Sequence, residues 1–112
     1  MKYFETFFME DAKDFLSTLD PKIIKKIFYN IDIAEETNDP KLFKKIQNEI
    51  WEFRTRYLGI QVRFLAFWDK MDQRRTLVIV SNGFIKKNEK IPIREIEKAK
   101  ELRTKYFSKK TN

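Results

Sequence analysis

The chain has 112 residues, which fits a single domain spanning 1–112, and its 42% apolar content can bury a core although 37% of the residues are charged. It contains no cysteine and no histidine, which excludes disulfides, thiolate or imidazole catalysis, and zinc or iron–sulfur sites built on those residues. Its net charge of +7 favours a polyanionic partner.

The first half of the chain predicts one strand followed by two helices. Residues 2–8 are rich in aromatic residues and predict an opening strand. Helical spacing of apolar residues predicts a helix over 9–19 and a second helix that begins at Pro21, with Asp20 as its N-cap. After a turn signal at residues 38–40, residues 41–46 predict a short helical turn.

From residue 50 onward the apolar period changes to two. Three strands are predicted at 50–57, 60–68 and 75–82, and their short connections favour antiparallel pairing. Pro92 opens a closing helix, and residues 108–112 are expected to fray. The sequence therefore predicts an α+β fold, with an N-terminal strand and helical hairpin packed on an antiparallel sheet and a C-terminal helix.

Positive charge is concentrated in the second half of the chain. Residues 1–49 carry 8 Lys/Arg against 10 Asp/Glu, residues 50–83 carry 6 against 3, and residues 84–112 carry 10 against 4. An anionic partner is therefore expected to bind the second half. No run of 18 apolar residues and no secretory signal pattern is present, so a cytoplasmic protein without membrane contact is expected.

A predicted hairpin brings two arginines together. If Leu58 and Gly59 form a two-residue turn, Arg54 lies directly opposite Arg63 on one face of the sheet. Like charges in this position destabilise a sheet, so the pair needs an explanation. Either the arginines serve a function or they solvate the open face of a half-buried sheet, and the pattern favours neither explanation over the other. Glu52 on the same face could partly neutralise them. The opposite face would pack against the helical hairpin through Trp51, Phe53, Val62 and Phe64.

A second cluster of cations follows the last predicted strand. Lys86, Lys87 and Lys90 lie in a loop that begins at Gly83, at a strand end where binding groups are often presented. The cluster suits a phosphate backbone, although a solvated turn is the commoner explanation of such a pattern. Most of the cations on the closing helix are expected to serve solubility.

The second half resembles a known family. The segments IWEFR at 50–54, VRF at 62–64, GFIKK at 83–87 and IP at 91–92 occur in the order and spacing of the HigB-like, phage-related branch of the RelE/ParE superfamily of bacterial toxins. The resemblance covers about residues 50–107, and residues 1–49 match it only in outline. It implies a small domain with a curved antiparallel sheet and a basic concave face.

The resemblance implies the toxin of a type II toxin–antitoxin system. Such a toxin is a ribosome-dependent mRNA endonuclease that cuts message in the A site and inhibits translation. Its partners would be that mRNA and a cognate helix-turn-helix antitoxin. No metal, no small-molecule cofactor and no membrane would be involved.

Carried over by position, the site combines phosphate-binding arginines with lysines for proton transfer. Arg54 and Arg63 would clamp the phosphate and stabilise the charge that develops on it. Lys86 or Lys87, with a pKa lowered by neighbouring cations, would act as base or acid. Glu52 is a second candidate base, or a group that orients Arg54. Contacts to RNA are assigned to Lys90, Arg56, Tyr57, Trp68 and Arg103, although Tyr57 and Trp68 fit the core or its rim at least as well.

Two alternatives remain at this point. Some members of the family place histidine in the active site, which this chain cannot do, so its chemistry would have to rely on lysine and arginine as in other members, be slow, or be absent. A ParE-like toxin that inhibits gyrase without nuclease activity has the same fold, and a non-toxic basic nucleic-acid-binding module is a third reading. The GFIKK segment favours the nuclease.

Overall fold

The computed structural model describes residues 1–71 and 76–110. This part of the chain forms five strands and three helices, which confirms the predicted α+β class. In chain order they are β1 (Glu5–Phe8), α1 (Glu10–Leu16), α2 (Pro21–Thr37), β2 (Phe43–Gln47), β3 (Ile50–Tyr57), β4 (Ile60–Asp69), β5 (Leu77–Ile85) and α3 (Ile93–Lys110). None of the described helices combines the length and apolar character needed to cross a membrane.

The strands form one mixed sheet in the order β1-β5-β4-β3-β2. Strands β2 to β5 pair antiparallel with one another, as predicted for β3, β4 and β5. The opening strand does not pack on this sheet as a separate element. It joins the sheet as an edge strand parallel to β5, with Glu5 paired to Leu77 and Phe8 to Val80. The predicted antiparallel sheet is therefore extended by one parallel strand, because the long connection between β1 and β5 supplies the crossover that a parallel pair needs.

The predicted helical turn at 41–46 is also wrong, because β2 occupies most of it. Phe43 pairs with Phe53 of β3, and a register shift between Lys45 and Gln47 marks a bulge. A bulge interrupts strict alternation, so the apolar residues of β2 imitate helical spacing in the sequence.

Element ends differ from the sequence prediction by a few residues. Strand β1 starts at Glu5 and β5 continues to Ile85, while residue 75 lies outside the described residues. Helix α3 runs through Lys110, so it includes residues 108–110 of the tail that was expected to fray. Residues 111 and 112 lie outside the described part.

Two local predictions are confirmed. The Asp20 side chain accepts a hydrogen bond from the backbone N–H of Lys22 at 2.8 Å, with Pro21 at the first position of α2. Leu58 and Gly59 connect β3 to β4 with φ of 49° and 80°. Positive φ at both central residues is the geometry of a tight hairpin turn that matches the twist of its strands.

The sheet is covered by helices on both faces. Helix α2 packs Ile23, Ile27 and Ile31 against the face that carries Phe53 and Phe64, as predicted. On the other face, Ala99 and the half-buried Ile96 of α3 pack against Ile50, Leu65 and Phe84. Near the turn between β3 and β4 this second face is more open, and Arg54 exposes 33% of its side chain there.

Candidate functional site

The two arginines face each other as the hairpin register predicts. Arg54 of β3 pairs directly with Arg63 of β4, and Arg63 pairs in turn with Phe84 of β5. Two residues nearer the turn, on the same face, Arg56 pairs with Gln61, whose carbonyl oxygen accepts a hydrogen bond from the Lys86 N–H at 2.8 Å. Four cations of the predicted site, Arg54, Arg56, Arg63 and Lys86, therefore lie in or beside these two pairs, around Gln61.

Glu52 lies between the two guanidinium groups. Its Oε1 is 3.5 Å from Arg54 Nε and its Oε2 is 3.7 Å from Arg63 Nε. The Glu52 side chain is only 3% exposed, and its Oε2 has no hydrogen-bond partner among the described residues. The carboxylate therefore offsets the repulsion between the arginines from within the protein. Its burial favours the orienting role that the sequence suggested over the role of a base.

Arg63 is held almost entirely below the surface. Its Nη2 donates to Gln61 Oε1 at 2.9 Å and its Nη1 donates to the Val62 carbonyl at 3.3 Å. Burial lowers the pKa of Arg63, Glu52 opposes that effect, and the charges of Arg54 and Arg56 lower the pKa further. Arginine nevertheless stays protonated, so Arg63 is a fixed cation in poorly hydrated surroundings, where it interacts strongly with an anion.

The arginines open into a cavity of about 480 Å³ at the outer edge of β3, which we call the arginine cleft. Of the residues described along its wall, five are cationic and none is acidic. Such a wall attracts anions, and guanidinium groups bind phosphate in a two-pronged geometry. The lining residues are Lys26, Asn30, Lys41, Leu42, Arg54, Thr55, Arg56, Gln61 and Arg63.

Six of these lining residues were not among the predicted site residues: Lys26, Asn30, Lys41, Leu42, Thr55 and Gln61. Asn30 did give a signal, because it is a polar residue within the apolar stripe of α2. It is buried, and its Nδ2 donates to Thr55 Oγ1 at 3.2 Å, which ties α2 to the edge of β3. Lys26 and Lys41 gave no signal, since they belong to the half of the chain with net negative charge.

The predicted lysines lie beside the arginine cleft and not inside it. Lys86 and Lys87 line a separate recess of about 380 Å³, which we call the lysine recess, together with Gln61, Asn88 and Glu89. Gln61 is thus a wall shared by the arginine cleft and the lysine recess. Lys86 is half-buried, whereas Lys87 and Lys90 are exposed.

Residues 14–104 match the family model described as phage-derived protein Gp49-like (DUF891). The chain belongs to this family. The Gp49-like family is part of the RelE/ParE-like toxin superfamily, so the resemblance seen in the sequence is confirmed at the level of the superfamily. No curated protein matches the chain. The matched residues include the whole wall of the arginine cleft.

Two aromatic residues assigned to RNA contact lie elsewhere in this Gp49-like protein. Tyr57 and Trp68 pack against the core beneath α2, on the face opposite the arginines. The Trp68 ring makes edge contacts with Phe4 and Trp51, at centroid distances of 5.3 and 5.4 Å. Both residues therefore fit the alternative that the sequence left open, a place in the core or at its rim.

Arg103 of the Gp49-like protein also lies away from the cleft, whereas Arg56 lies in it. The Nη2 of Arg103 is 3.9 Å from Glu49 Oε2, and its guanidinium lies over the Phe107 ring at 5.0 Å. Glu49 precedes β3 and is five residues from Arg54, roughly 16 Å along an extended strand. Arg103 thus contacts the opposite end of β3.

Proposed function

We propose that this Gp49-like protein is the toxin of a type II toxin–antitoxin system and that it cuts mRNA in the ribosomal A site. The observation that carries the proposal is the arginine cleft, where five cations and no described carboxylate line the wall around Arg54 and Arg63. Guanidinium and ammonium groups supply positive charge themselves, so the proposed cleavage uses no metal ion. Membership of a toxin superfamily supports the proposal.

The reaction is an attack of a ribose 2′-hydroxyl on the adjacent phosphorus. A base removes the hydroxyl proton, the new P–O bond forms a five-coordinate phosphorane, and the bond to the 5′ oxygen breaks as an acid protonates that oxygen. The products are a 2′,3′-cyclic phosphate and a 5′-hydroxyl. Fixed cations that face the phosphorane lower its energy, and losing one such group costs roughly a factor of 10² to 10³ in rate in other enzymes.

The described residues divide these tasks by position. Arg63, fixed by Gln61 and by Glu52, stabilises the phosphate charge, and the more exposed Arg54 clamps the same group. Lys86 and Lys87 lie next to Gln61 at the margin of the cleft, where proton transfer to the 5′ oxygen or from the 2′-hydroxyl would take place.

The antitoxin is proposed to inhibit by covering the arginine cleft. A cleft with this excess of positive charge attracts an acidic segment, and such a segment would exclude the phosphate of the message. Co-expression with a helix-turn-helix protein encoded beside this chain should protect Arg54 and Lys86 from chemical modification. Unchanged reactivity of both residues in the complex would require an indirect mode of inhibition.

The nuclease proposal is tested with purified protein in a translating extract that contains a defined message. The wild type should cut at the A-site codon, and Arg54→Ala should lower the rate by roughly 10² or more. Arg54 suits this test because its side chain is one-third exposed, whereas Arg63→Ala would leave a buried carboxylate poorly paired. Lys105→Ala is the matched control, since Lys105 is exposed on α3 and does not line the cleft.

Two results would contradict the nuclease. One is intact message when the folded wild type is present and the extract is translating. The other is Arg54→Ala cutting at the wild-type rate. Intact message together with DNA damage signalling on expression would instead identify the gyrase-inhibiting alternative, and normal growth without any partner would favour a non-toxic binding module.

A further inference from the structure

A third recess continues the cationic surface beyond the lysine recess. This loop cleft has a volume of about 470 Å³ and shares Lys87 and Asn88 with the lysine recess. The lysine recess also shares Gln61 with the arginine cleft, so it lies between the other two cavities and adjoins both. The loop cleft is lined by Phe15, Gly83, Phe84, Ile85, Lys87, Asn88, Lys90, Pro92, Arg94 and Glu95.

The three cavities run across the sheet at one end. The arginine cleft lies at the edge of β3, and the loop cleft lies where β5 extends past Val80, its last pairing with β1. Strand β4 separates β3 from β5, so the two clefts are at least about 10 Å apart at the usual spacing of strands. This distance corresponds to roughly three stacked nucleotides at about 3.4 Å each.

The loop cleft combines cations with an apolar floor. Lys87, Lys90 and Arg94 supply positive charge, and the Arg94 side chain is 88% exposed. Glu95 is the carboxylate described in this cleft: its Oε1 accepts a hydrogen bond from Asn82 Nδ2 at 3.0 Å and its Oε2 lies 3.9 Å from Arg94 Nε, so it offsets only part of the positive charge of the three cations. The apolar part comes from Phe15, Ile85 and Pro92, and Ile85 leaves 41% of its surface exposed.

We propose that the loop cleft is a second subsite, which binds a nucleotide of single-stranded RNA on one side of the cleavage point. The base lies against the apolar floor, and the adjoining phosphates contact Lys90 and Arg94. This inference rests on the proposed nuclease function, because it assigns the scissile phosphate to the arginine cleft. The strand then crosses β3, β4 and β5 through the lysine recess.

The apolar floor is the reason to choose a single strand as the ligand. In a duplex the base faces are stacked, so a protein reaches mainly the phosphates and the groove edges. Unpaired bases can lie flat on apolar side chains, and proteins that bind single strands combine such contacts with a cationic groove. A duplex would leave Phe15 and Ile85 without a contact.

The subsite is tested by equilibrium binding of a fluorescent RNA nonamer that carries 2′-O-methyl groups and therefore cannot be cut. Affinity is measured over a range of salt concentrations for the wild type and three variants. Lys90→Ala/Arg94→Ala changes only the loop cleft, Arg54→Ala changes only the arginine cleft, and Lys105→Ala/Lys109→Ala removes two exposed charges elsewhere on α3. Thermal unfolding confirms that each variant is folded.

We expect the loop-cleft variant to bind the nonamer about tenfold more weakly. The slope of log affinity against log salt should fall by about 1.4, at roughly 0.7 for each phosphate that the variant no longer neutralises. The α3 control should stay within twofold of the wild type. Ile85→Ser should also weaken binding, with no change in the salt slope, because it removes an apolar surface and no charge.

The subsite is refuted if the loop-cleft variant matches the α3 control while Arg54→Ala binds weakly, and the proposed function then stands. If no variant weakens binding, the arginine cleft does not bind RNA and the proposed function fails as well. A duplex of the same sequence that binds as tightly as the single strand, and that is weakened equally by Ile85→Ser, would refute the choice of a single-stranded ligand.

Discussion

At the scale of single residues, the arginine pair depends on one buried carboxylate. Arg54 and Arg63 occupy directly opposed positions in the sheet, where like charges are unfavourable. Glu52 is within 3.5 Å of one and 3.7 Å of the other, and it is buried where water cannot screen the attraction. Glu52 thus allows two arginines to lie side by side. It both stabilises the fold and orients the two guanidinium groups.

Removal of the Glu52 charge should therefore cost stability. Glu52→Gln leaves the buried Arg63 without its counter-charge, and breaking a buried pair in this way typically costs about 3 kcal/mol. Urea unfolding at neutral pH measures the loss. Glu97→Gln is the matched control, because Glu97 pairs with Lys100 at the surface and should contribute less than about 1 kcal/mol. Equal stabilities of the two variants would contradict the role of Glu52.

Gly83, in the segment that carries the superfamily resemblance, has a packing role. A Cβ at this position would lie 2.6 Å from Phe15 Cδ2 and 2.6 Å from Phe64 Cε1, closer than side chains approach. Gly83→Ala should destabilise the protein by about 1–3 kcal/mol, because the buried Phe64 ring and the half-buried Phe15 ring would have to move. At Gly59, with φ of 80° and open space around it, alanine should cost about 1 kcal/mol from the backbone alone. Chemical denaturation compares the two, and a smaller loss at Gly83 would contradict the packing role.

At the scale of elements, the spacing of apolar residues predicts the helices and strands that bury one face along their whole length. Helix α2 and strands β3 and β4 have uninterrupted patterns, so their existence, their order and the Arg54–Arg63 register follow from the sequence. Strand β2 does not, because its bulge breaks the alternation. The parallel pairing of β1 depends on where the chain returns after five intervening elements, and local patterns carry no information about that return.

The C-terminal end of helix α3 is bound to the sheet through a buried carboxylate of β4. Asp69, the last residue of β4, is fully buried and accepts hydrogen bonds from Tyr106 Oη at 2.6 Å and from the Met71 N–H at 2.9 Å. Lys110 Nζ lies 2.8 Å from the same carboxylate. Burial alone would raise the pKa of Asp69, but bonds from Lys110, Tyr106 and Met71 outweigh burial and hold that pKa below its ordinary value.

This anchor should make stability depend on pH at the acid end. Because the pKa of Asp69 is lower in the folded state than in the unfolded chain, its contribution is present above about pH 4 and is lost as the pH falls through the folded-state pKa. Burial and the bond to Asp69 raise the pKa of Tyr106, so that contribution is present below about pH 10 and is lost above it. The anchor is therefore strongest between these limits.

Asp69→Asn should lower the free energy of unfolding at neutral pH by about 2 kcal/mol, since it removes a charged acceptor from a buried network. It should also flatten the fall in stability between about pH 5 and pH 2, where the wild type protonates Asp69. Urea unfolding across this range gives both results. Asp14→Asn is the control, because Asp14 is an exposed aspartate on α1. If the free energy of unfolding fell equally with decreasing pH in the wild type and in Asp69→Asn, the role of Asp69 would be contradicted.

At the scale of the whole molecule, the sheet separates two surfaces with different tasks. One face buries the large aromatic core under α2, and the other carries Glu52, Arg54 and Arg63 beside α3. The charge gradient along the chain predicts a cationic site in the second half, and the site is indeed built mainly there. Lys26 and Lys41 nevertheless enter the cleft from the first half. Net charge summed over a segment conceals single side chains that the fold brings to one place.

Neighbouring residues on β3 provide a direct test of this separation. Arg56 faces the cleft and Tyr57, the next residue, packs on the core side, so equivalent changes should have opposite consequences. Arg56→Ala should lower mRNA cleavage by about tenfold with less than about 1 kcal/mol of change in stability, because Arg56 is exposed. Tyr57→Leu should cost about 1 kcal/mol in stability while cleavage per folded molecule stays unchanged, since the Tyr57 ring packs on the core side of the sheet, away from the arginines. Cleavage assays in the translating extract, normalised to the folded fraction, measure both effects. If Tyr57→Leu loses cleavage, the Tyr57 ring contacts RNA after all. The RNA-binding surface would then have to extend around the edge of β3 to the core side.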